Sequence, residues 1–336
     1  MKVLVTGGTG FLGANLVHHL VARGHAVRVL KRPRTPPTLL AGLPVEVVEG
    51  DLTDFDSLLA ASRGVEGIYH VAGLVSYWRP KRARLFRVNV GGTRNVVEAA
   101  QRNGVRRVVH TSSIAAIGYP AERGGRPGDE DTPWNWGPHD IGYATSKHLG
   151  EQEALKATAR GLEVVVVNPA LIFGPRDTSW NAGRMFKLVQ EHSTVRGLEG
   201  ATTTCDVDDV CVGHIAAMER GRSGRRYILG GEHRRYVELF RLVGEVMGKP
   251  VRIQAVPYWV AALAAWGSYG VSRLTRREPS LTPELLHMGR YNRCYSSERA
   301  IRELGYPQTP LPQTLEKTYR WYVEHGYLPA ARPAKA

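Results

Sequence analysis

Tyr143 and Lys147 stand four residues apart within a helical pattern over residues 141–160. That spacing places both side chains on one face of a helix. A phenol with an ordinary pKa near ~10 is a weak base at neutral pH. A neighbouring ammonium favours the phenolate, so we expect the pKa of Tyr143 to be lowered. The pair predicts proton transfer by the tyrosine, and the alternative interpretation is two surface residues.

Two serines follow the fifth predicted strand (107–111). Thr111, Ser112 and Ser113 stand at its carboxyl end, where parallel sheets bind their ligands. A serine hydroxyl at that edge can polarise a carbonyl group while Tyr143 moves the proton. The pattern by itself leaves the choice between Ser112 and Ser113 open.

A glycine-rich turn follows the first predicted strand. Gly7, Gly10 and Gly13 are spaced three apart in residues 6–13 (TGGTGFLG), and an apolar helical stripe begins at Phe11 and Leu12. Glycine permits a tight turn and a close approach of backbone to a pyrophosphate, and the helix N-terminus attracts the anion. Because the turn lies between a strand and a helix, it predicts a dinucleotide site rather than a turn selected for packing.

The end of the second predicted strand indicates which dinucleotide is bound. Residues 29–34 (VLKRPR) contain no acid that could bond a ribose 2′-hydroxyl, whereas the Arg32 guanidinium can pair with a 2′-phosphate. We therefore expect NADP(H), with NAD(H) as the other candidate and a solvated basic loop as the alternative interpretation. Asp51 and Leu52 stand where an adenine is typically bracketed. A positive nicotinamide ring would further favour the Tyr143 phenolate, and Lys147 can hold the ribose hydroxyls.

The spacing of short apolar runs and helical patterns predicts the fold. Strand candidates are residues 2–6, 26–30, 45–49, 67–72, 107–111 and 163–168, and helical patterns cover 11–23 and 90–102. Their alternation predicts an α/β fold, a Rossmann-type doubly wound parallel sheet. We expect a dinucleotide-binding domain over 1–175, with chain returns at 201–230, a smaller α/β substrate-binding domain over 176–330, and a tail at 331–336.

Composition excludes several classes of protein. The 336 residues carry 45 Lys and Arg against 31 Asp and Glu, a net charge of +14, and 43% are apolar, which excludes a disordered chain or a polytopic membrane protein. The basic charge is scattered and forms no nucleic-acid-binding motif. Three cysteines without metal-ligand spacing and a first apolar run too short for a signal peptide predict a cytoplasmic protein with free thiols and no metal.

Aromatic and basic residues suggest the character of the substrate. Trp78, Trp134, Trp136 and Trp180 fall in segments that this topology brings to the mouth of the site, and such rings favour apolar or ring-shaped ligands; the alternative is that they anchor loops. A basic run over 79–87 either steers an acidic substrate or forms a solvated helix face.

Residues 253–272 carry no formal charge, and arginines flank them. Their length would allow a membrane span, but Pro257, Gly267 and Gly270 make it a poor one. We expect a helix that caps the substrate pocket; the alternative is a surface helix over 253–277 that docks on anionic lipid, which would place the protein at the inner face of the membrane.

The motifs resemble the extended short-chain dehydrogenase/reductase family over about residues 1–328. Besides 6–13, they are 50–52 (GDL), 70–73 (HVAG), 89–93 (NVGGT), 111–113 (TSS), Tyr143 with Lys147, 168–169 (NP) and 174–175 (GP). Residues 207–210 (VDDV) and 226–231 (RYILGG) look most like the bacterial subgroup similar to dihydroflavonol 4-reductase, which includes hopanoid-associated sugar epimerases.

The resemblance implies roles for particular residues. Tyr143 would be the acid/base, Lys147 its partner and Ser113, in preference to Ser112, the carbonyl-binding hydroxyl. The nicotinamide half would contact a further set: Val71, Ala72, Gly73, Thr111, Pro169 and Ala170.

We expect an NADP(H)-dependent oxidoreductase acting on a ketone, aldehyde or alcohol of a hydrophobic small molecule. The first alternative is a nucleotide-sugar epimerase or dehydratase with tightly bound NAD(P), and the remote one is a non-catalytic dinucleotide sensor. A homodimer is common in the family, and the sequence leaves the oligomeric state open.

Overall fold

The computed structural model describes residues 1–120, 125–197, 200–279 and 281–330. The expected tail at 331–336 lies outside these residues. The strands are β1 (Lys2–Thr6), β2 (Ala26–Lys31), β3 (Glu46–Glu49), β4 (Gly67–His70), β5 (Arg107–Thr111), β6 (Glu163–Pro169), β7 (Leu171–Phe173), β8 (Thr194–Gly197), β9 (Ala201–Asp206), β10 (Arg226–Leu229), β11 (His233–Arg235) and β12 (Arg252–Ala255). The α-helices are α1 (Phe11–Ala22), α2 (Phe55–Ala61), α3 (Arg82–Phe86), α4 (Gly92–Arg102), α5 (Gly142–Lys156), α6 (Arg184–Glu191), α7 (Val207–Arg220), α8 (Tyr236–Val246), α9 (Tyr258–Thr275), α10 (Pro283–Met288), α11 (Glu298–Leu304) and α12 (Leu311–Glu324).

Seven strands form one parallel sheet in the order β10-β6-β5-β4-β1-β2-β3. The chain builds outward from β1 through β2 to β3, then crosses back to β4 on the other side of β1. Ligands of such sheets bind at this switch point, outside the carboxyl ends of the strands. The expected Rossmann-type doubly wound fold is confirmed.

Successive residues of a strand point to opposite sides of the sheet, and here both sides are apolar. Helices therefore cover both faces. Val3 and Val5 pack with α1 and α7 in one apolar cluster. Leu4, between them, belongs to a second cluster formed with α2, α4 and α5. The uninterrupted apolar runs of the sequence therefore correspond to strands buried on both faces.

The later part of the chain adds two small sheets. Strand β9 pairs with β7 in parallel and with β11 in antiparallel orientation, while β12 pairs with β8. These elements enclose an apolar cluster built around Phe173, Phe186, Leu239, Leu315 and Tyr322. Between them the chain returns to the main sheet, where β10 pairs with β6 and α7 packs on α1.

A π-helical turn precedes α4, which the sequence pattern did not anticipate. It covers Arg87–Gly91, and Asn89 lies within it. Helix α5 approaches this turn so closely that a Cβ at Gly150 would lie 2.4 Å from the Asn89 carbonyl oxygen. Single π-helical turns are frequent at functional sites, and this one touches the helix that carries Tyr143.

The uncharged run at 253–272 divides into β12 and α9. Within the four described ranges, no helix is both long enough and apolar enough to cross a membrane.

Candidate active site

A cleft of about 1190 Å³ opens along the carboxyl edge of the main sheet. Ligand pockets commonly measure about 300–1,000 Å³, so the cleft has room for a dinucleotide and a second molecule. Many of the residues expected at the site line it: Gly7, Gly10, Phe11, Leu12, Gly13, Arg32, Asp51, Leu52, Val71, Ala72, Gly73, Ser113, Tyr143, Ala170 and Trp180. Four others lie behind this lining, buried against it: Thr111, Ser112, Lys147 and Pro169.

The glycine turn is packed so tightly that side chains would not fit. Gly7 has a φ of +72°, and a Cβ there would lie 2.8 Å from both the Cα and the backbone nitrogen of Ala72. A Cβ on Gly13 would lie 2.1 Å from the Gly7 carbonyl oxygen. No side chain caps the N-terminus of α1, where Gly10 is the capping residue. The turn therefore leaves the first amides of α1 open to an anion, which fits a pyrophosphate.

Three arginines line the cleft beside β2 and α3: Arg32, Arg84 and Arg87. None of them forms an ion pair within the described part of the chain. Burial acts to raise the pKa of Asp51, but two bonds from Thr53 and the charges of Arg32 and Arg84 outweigh it and lower that pKa. This end of the cleft is therefore strongly cationic.

The remainder of the basic run at 79–87 is paired with acids away from the cleft. Arg79 lies 3.4 Å from Glu284, Lys81 2.6 Å from Glu278 and Arg82 2.7 Å from Asp140. The first half of the run therefore joins neighbouring elements through ion pairs, while Arg84 and Arg87 in its second half are exposed and line the cleft.

Hydrogen bonds through His70 position the segment 71–73 next to the glycine turn. The Thr6 hydroxyl lies 2.8 Å from His70 Nδ1 and accepts a bond from the Ala72 amide, and His70 Nε2 lies 3.0 Å from the Thr93 hydroxyl. Burial, with a smaller contribution from the charge of Lys147, lowers the pKa of His70 to about 3. His70 is therefore neutral at physiological pH and serves as a bridge between hydroxyl groups.

Tyr143 lies at the start of α5, and it lines the cleft next to Ser113, whose hydroxyl acts on the phenol. The expected lowering of its pKa is wrong for the protein without its ligands. Burial raises the pKa of Tyr143, while the Ser113 bond and the charge of Arg293 lower it only in part. The phenol therefore holds its proton, which suits a proton donor.

Lys147 lies one helical turn further along α5 and faces the same edge. Its ammonium donates a 2.7 Å bond to the Thr111 carbonyl oxygen, and a Cβ on Gly73 would lie 3.7 Å from Nζ. Burial lowers the pKa of Lys147 to about 8, against the opposing effect of Glu151. The ammonium is thus held between β5 and the segment 71–73, and with this pKa it is still mostly protonated at neutral pH.

The two serines after β5 have different surroundings. The Ser113 oxygen accepts a 3.1 Å bond from the Ala115 amide, bonds to Tyr143 and lines the cleft. The Ser112 hydroxyl is buried and has no hydrogen-bond partner among the described residues. Only Ser113 stands where a carbonyl group beside Tyr143 would be reached.

Asn89 ties these parts together, a role that the sequence pattern did not assign to it. Its side chain accepts a 2.7 Å bond from the Leu74 amide and donates 3.0 Å bonds to the Leu74 carbonyl and the Ser146 hydroxyl. Asn89 therefore joins the loop after β4 to α5 between Tyr143 and Lys147.

Three of the four tryptophans expected at the substrate site lie elsewhere. Trp136 is completely buried and donates to the Ile117 carbonyl, and Trp78 donates to the Ser272 hydroxyl. Trp134 stacks on His148 beside a separate cleft. Their indole groups anchor loops, as buried Trp N–H groups usually require a partner. Trp180 alone of the four lines the main cleft, where it also stacks on Tyr322.

The structure adds a cluster that no local motif revealed: Tyr77, Tyr236 and Arg293, all of which line the cleft. The Arg293 guanidinium donates to the Tyr236 hydroxyl, but its Nε has no partner, and no carboxylate pairs with it in the described ranges. Burial acts to lower the pKa of Arg293, yet the surrounding tyrosines raise it, so the cation persists. Tyr77 also packs edge-on against Tyr143, at 5.3 Å between ring centroids. The three residues are far apart in sequence, so the pattern could not predict the cluster. The one available indication was that Tyr77 follows β4, at the edge of the sheet where ligands bind.

No cluster of three or more potential metal ligands occurs in the described part of the protein. The three cysteines are unpaired, and two of them, Cys205 and Cys211, are buried.

Known proteins with similar sequences and structures match almost the whole chain. A profile described as the NAD dependent epimerase/dehydratase family matches residues 3–230. A putative dihydroflavonol 4-reductase of Synechocystis is 36% identical, with 96% of this chain and 95% of that protein covered. Sterol demethylase protein B of Methylococcus capsulatus is 35% identical, covering 98% and 100%. The crystal structure of gox2253 superposes with a TM-score of 0.83 at 34% identity, covering 97% and 99% of the two chains.

The close approach at Gly13 yields a first prediction. Gly13→Ala places a methyl group against the Gly7 carbonyl, and overpacking of this kind costs about 1–3 kcal/mol. We expect the dissociation constant for a nicotinamide dinucleotide to rise by at least ~10-fold, measured by fluorescence titration. Gly267→Ala, where nothing lies within 4 Å of the added methyl group, is the matched control. Equal binding by the Gly13 variant would contradict the assignment of the turn.

Proposed function

From the premise that this chain belongs to the NAD dependent epimerase/dehydratase family, we propose that it is an NADP(H)-dependent oxidoreductase. It reduces a ketone or aldehyde of a hydrophobic small molecule, or oxidises the corresponding alcohol. The observation that carries the proposal is that Tyr143 and Ser113 line the same cleft side by side, with Lys147 on the same helix as Tyr143 and the glycine turn at the other end of the cleft.

The residues of the cleft fit a nicotinamide dinucleotide. The cradle at Gly7 and Gly13 has no room for a Cβ, and the open amides of α1 suit a pyrophosphate. Arg32 and Arg84 would hold a 2′-phosphate, and Val71, Ala72 and Gly73 would border the nicotinamide half. When bound, the dinucleotide supplies or accepts a hydride.

The chain's own residues manage the proton. In the direction of reduction, Ser113 donates a hydrogen bond to the substrate carbonyl oxygen, and Tyr143 transfers its phenolic proton to that oxygen as the carbonyl carbon gains hydride. The Lys147 ammonium stabilises the resulting phenolate, which regains its proton before the next turnover. Oxidation of an alcohol reverses each transfer, as microscopic reversibility requires.

The substrate side of the cleft supports an apolar molecule with a polar group next to its carbonyl. Leu74, Val75, Trp180 and Leu285 supply apolar lining. The names of the two relatives refer to a dihydroflavonol and a sterol, both of them ring systems. Arg293 adds a partly buried cation that lacks a carboxylate in the described residues and whose buried Nε has no partner there, and such a group is stabilised when a ligand oxygen pairs with it.

A nucleotide-sugar epimerase or dehydratase is the second candidate, because the family description names epimerases and dehydratases, although it names no substrate. In such an enzyme the dinucleotide is recycled within one turnover. Net consumption of NADPH with a ketone therefore distinguishes the two functions.

Tyr143→Phe tests the proposal directly. The substitution removes the transferable proton, so we expect NADPH-dependent ketone reduction, followed by loss of NADPH absorbance, to fall by about 10²–10⁴-fold. NADPH binding, measured by fluorescence, should persist. Tyr119→Phe, which removes a hydroxyl bonded to His139 outside the cleft, is the control. Full turnover by the Tyr143 variant would reject the mechanism. If the wild type reduces none of the ketones but converts a nucleotide sugar, the protein is an epimerase or dehydratase instead.

The cationic end of the cleft governs the choice of dinucleotide. In the double variant Arg32→Asp and Arg84→Gln, two partners of a 2′-phosphate are lost and an acid that can bond a ribose hydroxyl is gained. We expect the ratio of kcat/KM for NADPH over NADH to fall by at least ~100-fold, since charge-assisted bonds contribute about 1.5–3 kcal/mol each. The double variant Arg106→Asp and Arg196→Gln, at two exposed positions outside the cleft lining, makes the same change of three charge units and is the control. An unchanged ratio would overturn the preference for NADP(H).

Reduction should slow as the pH rises through about 8. The pKa of Lys147 is lowered to about 8, so the ammonium is present below that pH and is lost above it. Tyr143, whose pKa is raised, keeps its proton over the same window. We expect kcat/KM to decline between about pH 7 and about pH 9.5. The Lys147→Met variant should be slower than the wild type and should lack this decline at alkaline pH. A flat wild-type profile would contradict the role of Lys147.

Arg293 should discriminate between substrates. An α-hydroxy ketone can present its hydroxyl oxygen to the guanidinium, whereas the matching deoxy ketone cannot. In Arg293→Met, we expect the ratio of kcat/KM for the hydroxy ketone over the deoxy ketone to fall by about 10-fold, because a bond to a charged group contributes about 1.5–3 kcal/mol. Arg94→Met, which breaks an exposed ion pair with Glu153, is the control. A ratio equal to that of the wild type would remove Arg293 from substrate recognition.

A further inference from the structure

Helix α9 exposes its large apolar side chains to solvent, whereas an ordinary amphipathic surface helix buries them. Its large apolar side chains face outward, with Trp259 66%, Leu263 68%, Trp266 57% and Leu274 86% exposed. Their spacing of four, three and eight residues places them on one helical face. The side toward the protein carries small residues instead, among them the completely buried Ala265.

Helix α9 as a whole concentrates the exposed apolar surface of the molecule, with the four residues above at its centre. Of the twelve large apolar residues that are exposed in the described ranges, seven belong to α9: Tyr258, Trp259, Val260, Leu263, Trp266, Val271 and Leu274. A contiguous exposed apolar patch on a soluble protein usually marks an interaction site. We call this surface the α9 face.

Arginines border the α9 face at both ends. Arg273, Arg276 and Arg277 are exposed at its C-terminal end, and none of them has an ion-pair or hydrogen-bond partner in the part of the chain that is described. Near its N-terminal end, the Arg290 guanidinium lies over the Tyr258 ring at 4.8 Å. Residues 253–277 contain no acid, and the next one, Glu278, is already bonded to Ser76 and Lys81.

We propose that the α9 face docks on the surface of an anionic lipid bilayer. Tryptophan and leucine side chains on one face and arginines beside them are the composition that binds in the interfacial region, where aromatic rings enter the headgroup boundary and cations pair with anionic lipid. Each basic residue near such a surface contributes about 1 kcal/mol. The three unpaired arginines and the net charge of +14 act in the same direction.

Charge also argues against a second copy of this chain as the occupant. A two-fold pairing of α9 faces brings the C-terminal arginines of one helix toward the N-terminal end of the other, where Arg290 lies. Neither end offers an acid within 253–277 to pair with them. An anionic bilayer complements both ends at once.

The α9 face is attached to the rim of the cleft. The Trp78 indole donates a 3.1 Å bond to Ser272 of α9, and Ser76 donates a 2.6 Å bond to Glu278. The same loop contributes Leu74, Val75 and Tyr77 to the cleft lining. If the proposed function holds, docking brings the mouth of the cleft to the surface from which an apolar substrate is drawn; docking itself does not depend on that function.

Vesicle sedimentation of the full chain tests the proposal. At low salt we expect binding to phosphatidylglycerol/phosphatidylcholine vesicles and little binding to pure phosphatidylcholine, with a blue shift of tryptophan fluorescence on binding. Arg273→Gln with Arg276→Gln and Arg277→Gln should weaken binding by about 100-fold. Trp259→Gln with Trp266→Gln should weaken it by at least ~10-fold.

Two controls make the experiment decisive. Ile301→Gln alters an exposed apolar residue on α11 and should bind vesicles like the wild type. Tyr143→Phe should also bind vesicles normally, which separates failure of docking from failure of the proposed chemistry. NADPH binding by each α9 variant verifies its fold.

Three results would overturn the proposal. The first is absence of wild-type binding to anionic vesicles, and the second is equal binding by the α9 variants and the wild type. The third is a wild-type dimer by light scattering that becomes monomeric in the Trp259/Trp266 variant, because a second copy would then cover the α9 face.

Discussion

The site depends on the pressing of α5 against the carboxyl end of β5. Lys147 can bury its ammonium there only because the Thr111 carbonyl oxygen accepts a hydrogen bond from it, and Tyr143 lies beside Ser113 by the same approach. The same helix also passes close to the π-helical turn at 87–91, and this second approach requires a glycine at position 150, where a Cβ would strike the Asn89 carbonyl. A cation that is taken out of water keeps its charge only if fixed dipoles replace the solvent. The lowered pKa of Lys147 shows that the replacement is incomplete.

A second constraint lies where the glycine turn meets the segment after β4. Gly7 contacts the Ala72 backbone so closely that the glycine turn and residues 71–73 form one continuous wall of the cleft. Thr6 and His70 tie that wall from behind. Neutral His70 can make these bonds without adding charge near Lys147. This wall and α5 meet directly, because a Cβ on Gly73 would lie 3.7 Å from Lys147 Nζ and Asn89 bonds both Leu74 and Ser146.

The loop after β4 lines the cleft and also bonds to α9, so the cleft and the α9 face are neighbours on the molecule. Arg32, Arg84 and Arg87 concentrate positive charge at one end of the cleft. Arg293 and its tyrosines form a smaller cationic site near Tyr143. Beyond the rim, the apolar surface of α9 faces outward. Positive charge stays confined to these two parts of the cleft because nearby basic residues are paired with acids. Arg79 pairs with Glu284, and Lys81 pairs with Glu278.

Local pattern was enough to predict the Rossmann-type sheet, the glycine turn and the helix that carries Tyr143 and Lys147, because periodicity and glycine spacing are properties of neighbouring residues. Tertiary structure decided what depends on distant parts of the chain. It separated Ser113 from Ser112, moved Trp78, Trp134 and Trp136 away from the cleft, and raised the pKa of Tyr143 where its neighbour alone suggested a decrease. It also brought Arg293 to Tyr143 and turned the apolar side of α9 outward. Burial and long-range contact set these features, and neither quantity is defined until the chain has folded.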